Sequence, residues 1–310
     1  MATNNFKAFG IGAGANVTSQ ADYEALAALL TGFQSGKASS AQINKALRQS
    51  STMAYVLAQF ISDSTSVDVL DNGVPATILA NLKAAMTSLT PGRLLNIQVF
   101  TSSGTYTKTP GTKKARVKSL GGGGAGGGTE VTTSAQIAAA WGGNSGAYAE
   151  SSLIDVSSVA SVAVTIGAAG IPATGAAGGA GGQSSFGSYL ITPGGAGGLI
   201  GSAGSGVSAG VDMDTGSNPS GSALAFGTPA SVGVGPLSLS ATVGQATMKS
   251  GRGADSKLGI GGGGIRGANT AKSAFGYGAG GGGSAVGPSA AATTAGGVGT
   301  SGIIIVEEYA

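Results

Sequence analysis

The residues with side chains suited to binding or chemistry are few: Trp141, Asp212, Met213, Asp214 and Phe226. Asp212-Met213-Asp214 holds the only close acidic pair away from the C-terminus after residue 120. Paired carboxylates in a cleft are what glycoside hydrolysis needs, and clustered carboxylates also hold calcium. An isolated pair in a polar stretch reads first as a solvated loop, so no catalysis and no metal are expected. Trp141 is the sole tryptophan and stands beside Gly142-Gly143. There it has two readings: a surface that stacks on a sugar or covers an apolar receptor patch, or a cap on the glycine-rich region. Phe226 closes an ordinary segment beginning at Val207. Tyr148, Phe186, Phe275 and Tyr277 are expected to pack structurally.

Other chemistries are removed by composition. Cys and His are both absent, which excludes disulfides, thiolate nucleophiles, Cys/His zinc sites and the commonest general base. The run Gly121–Gly128 follows a strand-like segment and invites a phosphate-loop reading. It lacks the Gly-x-x-x-x-Gly-Lys-Ser/Thr pattern, and no helix-period segment follows, so no nucleotide cofactor is expected. Lys108, Lys113, Lys114, Arg116 and Lys118 suggest a nucleic-acid patch. The alternation favours a strand instead, with Lys114, Arg116 and Lys118 on the solvent face and Ala115 and Val117 inward. Met1 to Phe9 has no apolar stretch of the secretory kind, and no apolar run approaches ~18 residues, so neither a signal peptide nor membrane insertion is expected.

The elements that must position these residues divide at Leu120. Of the 60 glycines, 9 precede that point and the rest follow it. Ser19 to Asp22 suggests a helix start, and Leu26, Leu29, Leu30 and Phe33 form one helical face ending near Gly36. Ser39 and Gln42 have capping-box spacing. Ile43, Leu47, Met53, Val56, Leu57, Phe60 and Ile61 then give one long helix or two shorter ones. Pro75 suits a first turn, and Ile78, Leu79, Leu82, Met86 and Leu89 line a further helix that stops before Pro91. These stripes fit a small bundle or an interface between copies of the chain. From Leu94 the period becomes that of strands, with turns at Ser102–Gly104 and Pro110-Gly111.

Beyond Leu120, glycine clusters alternate with short ordinary segments. Strict Gly-X-Y repetition is missing and only 9 Pro occur, which excludes collagen. Recurring Val, Ile, Phe and Tyr exclude a flexible linker. The expectation is an α+β, multi-part fibrous chain. Amphipathic helices (1–93) precede a β-strand connector (94–120). A domain of packed polyglycine-II-like helices follows (121–310), with β-strands leading in and out.

Several pieces occur in one order. They are Phe100-Thr101-Ser102-Ser103-Gly104-Thr105-Tyr106-Thr107, Arg116-Val117-Lys118, the Gly121 run, Gly146-Ala147-Tyr148-Ala149-Glu150, Thr165 to Gly170, Ser184-Ser185-Phe186-Gly187 and Gly302 to Tyr309. Together they resemble the glycine-rich domain of bacteriophage tail fibres and adhesins, from about Ile97 to the C-terminus. The resemblance implies a homotrimer attached at one end to a virion tail or baseplate protein. It implies a glycine-rich part that presents loops to a bacterial surface receptor, protein or polysaccharide. Such a protein is assembled in the host cytoplasm and acts, as part of the virion, at the bacterial surface. Val207 to Met248, poorer in glycine clusters, departs from the pattern and is where receptor loops are expected. The alternatives are a shaft or connector without a receptor site, and a silk-like coat protein; the latter is disfavoured because silks need long uniform repeats.

Overall fold

A computed structural model describes residues 2–33, 39–90, 92–214, 216–242, 247–267 and 270–310. The expected helix end at Gly36 and the stop at Pro91 lie outside these residues, as do positions 215 and 243–246 of the expected loop segment. The chain forms two compact units, 1–93 and 94–310.

In the first unit the helices are α1 (Gln20–Glu24), α2 (Ala28–Thr31), α3 (Ser40–Thr65) and α4 (Pro75–Ser88). Ser19 caps α1, its hydroxyl accepting from the Asp22 amide at 3.2 Å. The single helix expected to carry Leu26 to Phe33 is instead two short ones, and Leu29, Leu30 and Phe33 are exposed. α3 is one continuous helix, and Ser39 stands at its N-cap without a side-chain capping bond, so the expected capping box is not made. Pro75 occupies the first turn of α4, where the missing N–H costs nothing. The core is small: Ala58, Ile61, Val69 and Ala85 are buried, with Phe6, Phe60, Ile78 and Leu82 packed against them. The N-terminal segment joins by backbone bonds, Asn5 N–H to Val69 O at 3.0 Å and Val69 N–H to Thr3 O at 2.8 Å. α1 and α2 bury no residue, so the core rests on α3 and α4 rather than on a three-helix bundle. Much of the apolar stripe stays outside; Met53 is 70% exposed, and Val56, Leu57, Leu79 and Met86 are exposed as well.

The second unit contains the strands β1 (Leu94–Phe100), β2 (Gly104–Tyr106), β3 (Lys114–Leu120), β4 (Ala138–Ala139), β5 (Tyr148–Ser151), β6 (Ile154–Asp155), β7 (Val162–Thr165), β8 (Ser184–Phe186), β9 (Leu190–Thr192), β10 (Ser208–Ala209), β11 (Leu224–Thr228), β12 (Leu237–Ser240), β13 (Thr247–Lys249), β14 (Leu258–Ile260), β15 (Phe275–Tyr277), β16 (Ala285–Val286) and β17 (Ile303–Tyr309). The expected α+β fibrous class with polyglycine-II-like helices is therefore overturned. The regular structure among the described residues is mostly β, 17 strands in several antiparallel sheets, and the 4 helices are confined to 20–88. The physical reason is local: the segments between glycine clusters alternate apolar and polar residues, and such segments pair as strands. No helix among the described residues is long and apolar enough to cross a membrane.

The main sheet has the order β1-β17-β3-β5-β11, with β6 also pairing β3. β3 shows the expected alternation: Ala115 and Val117 are fully buried, while Lys114, Arg116 and Lys118 point to the other face. Those bases pair with carboxylates on neighbouring strands, Lys114 with Asp155 at 2.7 Å, Arg116 with Glu150 at 2.7 Å and Lys118 with Glu307 at 2.6 Å. A second sheet, β2-β7-β8-β9, contributes to the same core as the first. Tyr106, Val162, Val164, Phe186 and Leu190 meet Val117, Ile304 and Val306 there, and the Tyr106 and Phe186 rings pack edge-on with centroids 5.2 Å apart. Glu308 is buried among these groups. It accepts from the Tyr106 hydroxyl at 2.8 Å, the Thr109 amide at 2.9 Å and the Thr109 hydroxyl at 2.6 Å. Burial by itself raises its pKa; the bonds from Thr109 and Tyr106 outweigh burial and hold the carboxyl below its usual range.

Most of the glycine runs carry neither helix nor strand. Along 121–128 the amide donors turn to three neighbours in rotation. Gly121, Gly124 and Gly127 donate to Ala147, Asn144 and Trp141; Gly122, Ala125 and Gly128 to Gly182, Gly179 and Ala176; Gly123 and Gly126 to Thr300 and Gly297. Carbonyls of the same run accept from other segments, Gly122 O from Gly195 and Gly124 O from Gly281. The run thus ties several distant segments together, satisfying buried backbone groups that would otherwise be costly. Glycine is required by space: a Cβ at Gly124 would lie 2.0 Å from the Ala196 carbonyl oxygen, and one at Gly126 1.9 Å from that of Gly282.

Candidate functional site: the Trp141 cleft

Trp141 leaves β4 at the start of the glycine run 142–146. Its backbone is fully engaged, the amide donating to Leu199 O at 3.2 Å and the carbonyl accepting from Gly127 at 2.9 Å. The side chain is half-buried and held at both ends. The indole Nε1 donates to Val211 O at 2.7 Å. Gly210 lies under the ring, since a Cβ there would fall 2.6 Å from Cζ2 and 2.5 Å from Pro236 Cδ. A cavity of about 190 Å³ opens beside the indole, lined by Ile137, Ala139, Ile200, Ser208 and Pro236 among others. Trp141 thus packs against Gly210 and presents one wall of a cavity.

The structure brings Asp212, Met213 and Asp214 to the same area. An Asp212 carboxylate oxygen accepts from the Gly235 amide at 3.1 Å, and the Met213 amide donates to Gly233 O at 3.1 Å. Asn144 ties this segment to the chain at Gly233, its Nδ2 donating to Asp214 O at 2.9 Å and its Oδ1 accepting from Gly233 N–H at 2.7 Å. Asn144 is fully buried, and its bond from Gly233 is shielded from water. The segment itself faces outward: Val211 is 82% exposed, and Val207, Asp212 and Asp214 are exposed too. The two aspartates hold no third acidic partner; among the described residues no group of three or more potential ligands is placed to bind a metal.

Phe226 is not part of this cluster. It lies on β11 at the edge of the main sheet, opposite Glu150, and is exposed. Of the aromatics expected to pack, Phe186 does so completely, whereas Phe275 is 80% exposed on the β14–β15 hairpin and is not a packing residue. Asn144, Gly210 and Pro236 were not singled out by sequence reasoning. Asn144 alone left a signal, as a polar residue inside the run Gly142–Gly146.

Compared with known proteins, residues 101–309 match a family described as a glycine-rich domain. No curated protein matches the chain.

Proposed function

The chain belongs to the glycine-rich domain family, and from that premise we propose that it is a bacteriophage tail-fibre protein that attaches the virion to a bacterial surface receptor without catalysis. The observation that carries this reading is the contrast within the second unit. Glycine runs, most of whose positions cannot accept a Cβ, form a fixed scaffold, and the scaffold holds an outward-facing, side-chain-bearing segment against Trp141. Binding residues placed on loops above a rigid frame are the usual arrangement for recognition. The half-buried indole, its adjoining cavity and the exposed Val207 and Val211 supply area for a sugar or an apolar receptor patch. In this reading the first unit attaches to a tail or baseplate protein and assembles three copies, using the exposed stripe of Met53, Val56, Leu57, Leu79 and Met86. Three weak receptor sites then act together. No nucleic acid, cofactor or membrane insertion enters the mechanism.

The test is binding of labelled full-length protein to a panel of bacterial strains with and without surface polysaccharide. Saturable binding to a subset is expected, lost in Trp141→Ala and redirected by exchange of 207–248, with the fold retained. A folded protein that binds no strain would replace the adhesin by a shaft or connector. A strictly monomeric mass at micromolar concentration would overturn the trimer.

A further inference from the structure

The outer face of the main sheet carries a second cavity, formed by different residues from those beside Trp141. The strand registers place Val99, Ile305, Lys118, Glu150 and Phe226 in one row across β1, β17, β3, β5 and β11. The neighbouring row is Ile303, Leu120 and Tyr148. Lys257 and Leu258, at the start of the β14–β15 hairpin, adjoin these rows, leaving a space of about 320 Å³ lined by Lys118, Leu120, Tyr148, Lys257, Ile303 and Ile305 among others. That is the lower end of the range for small-molecule sites, which are typically apolar clefts with a few convergent polar groups.

The charges around the space are unequally committed. Lys118 is bound by Glu307 at 2.6 Å. Glu150 accepts from Arg116 at 2.7 Å and from the Tyr148 hydroxyl at 2.7 Å. Lys257 has no carboxylate partner among the described residues; its ammonium stands 6.0 Å from the centroid of the Tyr148 ring. The two carboxylates are therefore neutralised by Lys118 and Arg116, and Lys257 leaves one uncompensated positive charge beside a mostly apolar space. A cation over an aromatic face is held weakly enough to take up an anion as well.

We propose that this cavity binds a small amphiphilic monoanion, with its anionic group on Lys257 and its apolar body between the Tyr148 ring, Leu258, Ile303 and Ile305. The site is independent of the adhesion reading and shares no lining residue with the Trp141 cleft.

The experiment titrates the full chain by calorimetry with octanoate, octanol and acetate, and with benzoate and benzyl alcohol. Octanoate or benzoate is expected to bind more tightly than its neutral alcohol and more tightly than acetate; the better of the two identifies an acyl or a ring-shaped body. Lys257→Gln, a change at an exposed side chain, is expected to weaken the anion roughly fivefold, the scale of a half-exposed ion pair, and to leave the alcohol unchanged. Leu258→Ser is expected to weaken both. Added salt is expected to weaken only the anion. Equal affinity for anion and alcohol, or an anion affinity unchanged in a folded Lys257→Gln protein, would overturn the proposal.

Discussion

The two units of this chain solve the same problem with opposite materials. In 1–93 the order comes from side chains: Ile61, Val69 and Ala85 are buried between α3, α4 and the N-terminal segment, and the backbone bonds are mainly local. In 94–310 much of the order comes from backbone. Gly122 and Gly123, adjacent in sequence, donate to Gly182 and Thr300, and the side chains gather in the core shared by two sheets. The first material tolerates local change and leaves part of its apolar stripe exposed. The second tolerates little within the runs, because at most of their positions a neighbouring backbone group occupies the place of the missing Cβ.

Substitutions test that contrast. The largest effect is expected from Gly124→Ala, where the new methyl meets the Ala196 carbonyl at 2.0 Å; a loss of ~3 kcal/mol or more is expected in chemical denaturation. Gly263→Ala is its control, because nothing lies within 4 Å of a Cβ there, and its midpoint is expected to stay within ~0.5 kcal/mol of the parent. Equal effects at the two positions would break the argument that space requires glycine. In the first unit Ile61→Ala removes a fully buried side chain. It is expected to cost ~3 kcal/mol, read as loss of the helical signal in far-ultraviolet circular dichroism while the β-rich transition stays in place.

Smaller effects sharpen the role of polar groups. Glu308→Gln leaves the buried carboxylate's three donors with one good acceptor oxygen, for an expected loss of ~2 kcal/mol. The Glu308 pKa is lowered on folding, so its contribution is present above the unfolded value and is lost as pH falls through the folded one. The parent's stability should therefore decline below about pH 4 more steeply than that of Glu308→Gln; parallel curves would show that Glu308 is not the group responsible. The smallest change is Lys114→Gln. Its bridge to Asp155 has both partners well exposed, and only a slight loss of stability is expected, shrinking with added salt.

Legibility in the sequence followed the range of the interactions. β3 was readable because Lys114, Arg116 and Lys118 alternate with Ala115 and Val117, a period set within one strand. α3 and the proline-led start of α4 were readable for the same reason. The Ser39 cap and the helix through Leu29 and Phe33 were misjudged: spacing permits such features, but a capping bond needs the right side-chain geometry and a helical stripe needs a surface to pack on. The fold class was not legible because the strands between the glycine runs are only two to five residues long, too short for alternation to stand out. In the candidate site, Trp141 and the 212–214 segment were legible as unusual residues. Their union through Val211 and Asn144 was not, because those partners are about seventy residues apart and meet through hydrogen bonds that leave no periodic trace.

Sequence by itself determined the division of labour: apolar periodicity before Leu120, glycine after it, and strands wherever alternation returned. Tertiary structure alone decided which segment lies beside which. One glycine carries no more address than the next, so the pairing of Gly122 with Gly182 and of Gly123 with Thr300 is not written in the runs. It is imposed where side chains differ, by the strand registers of β3, β5 and β17 and by contacts such as Glu308 with Tyr106 and Thr109.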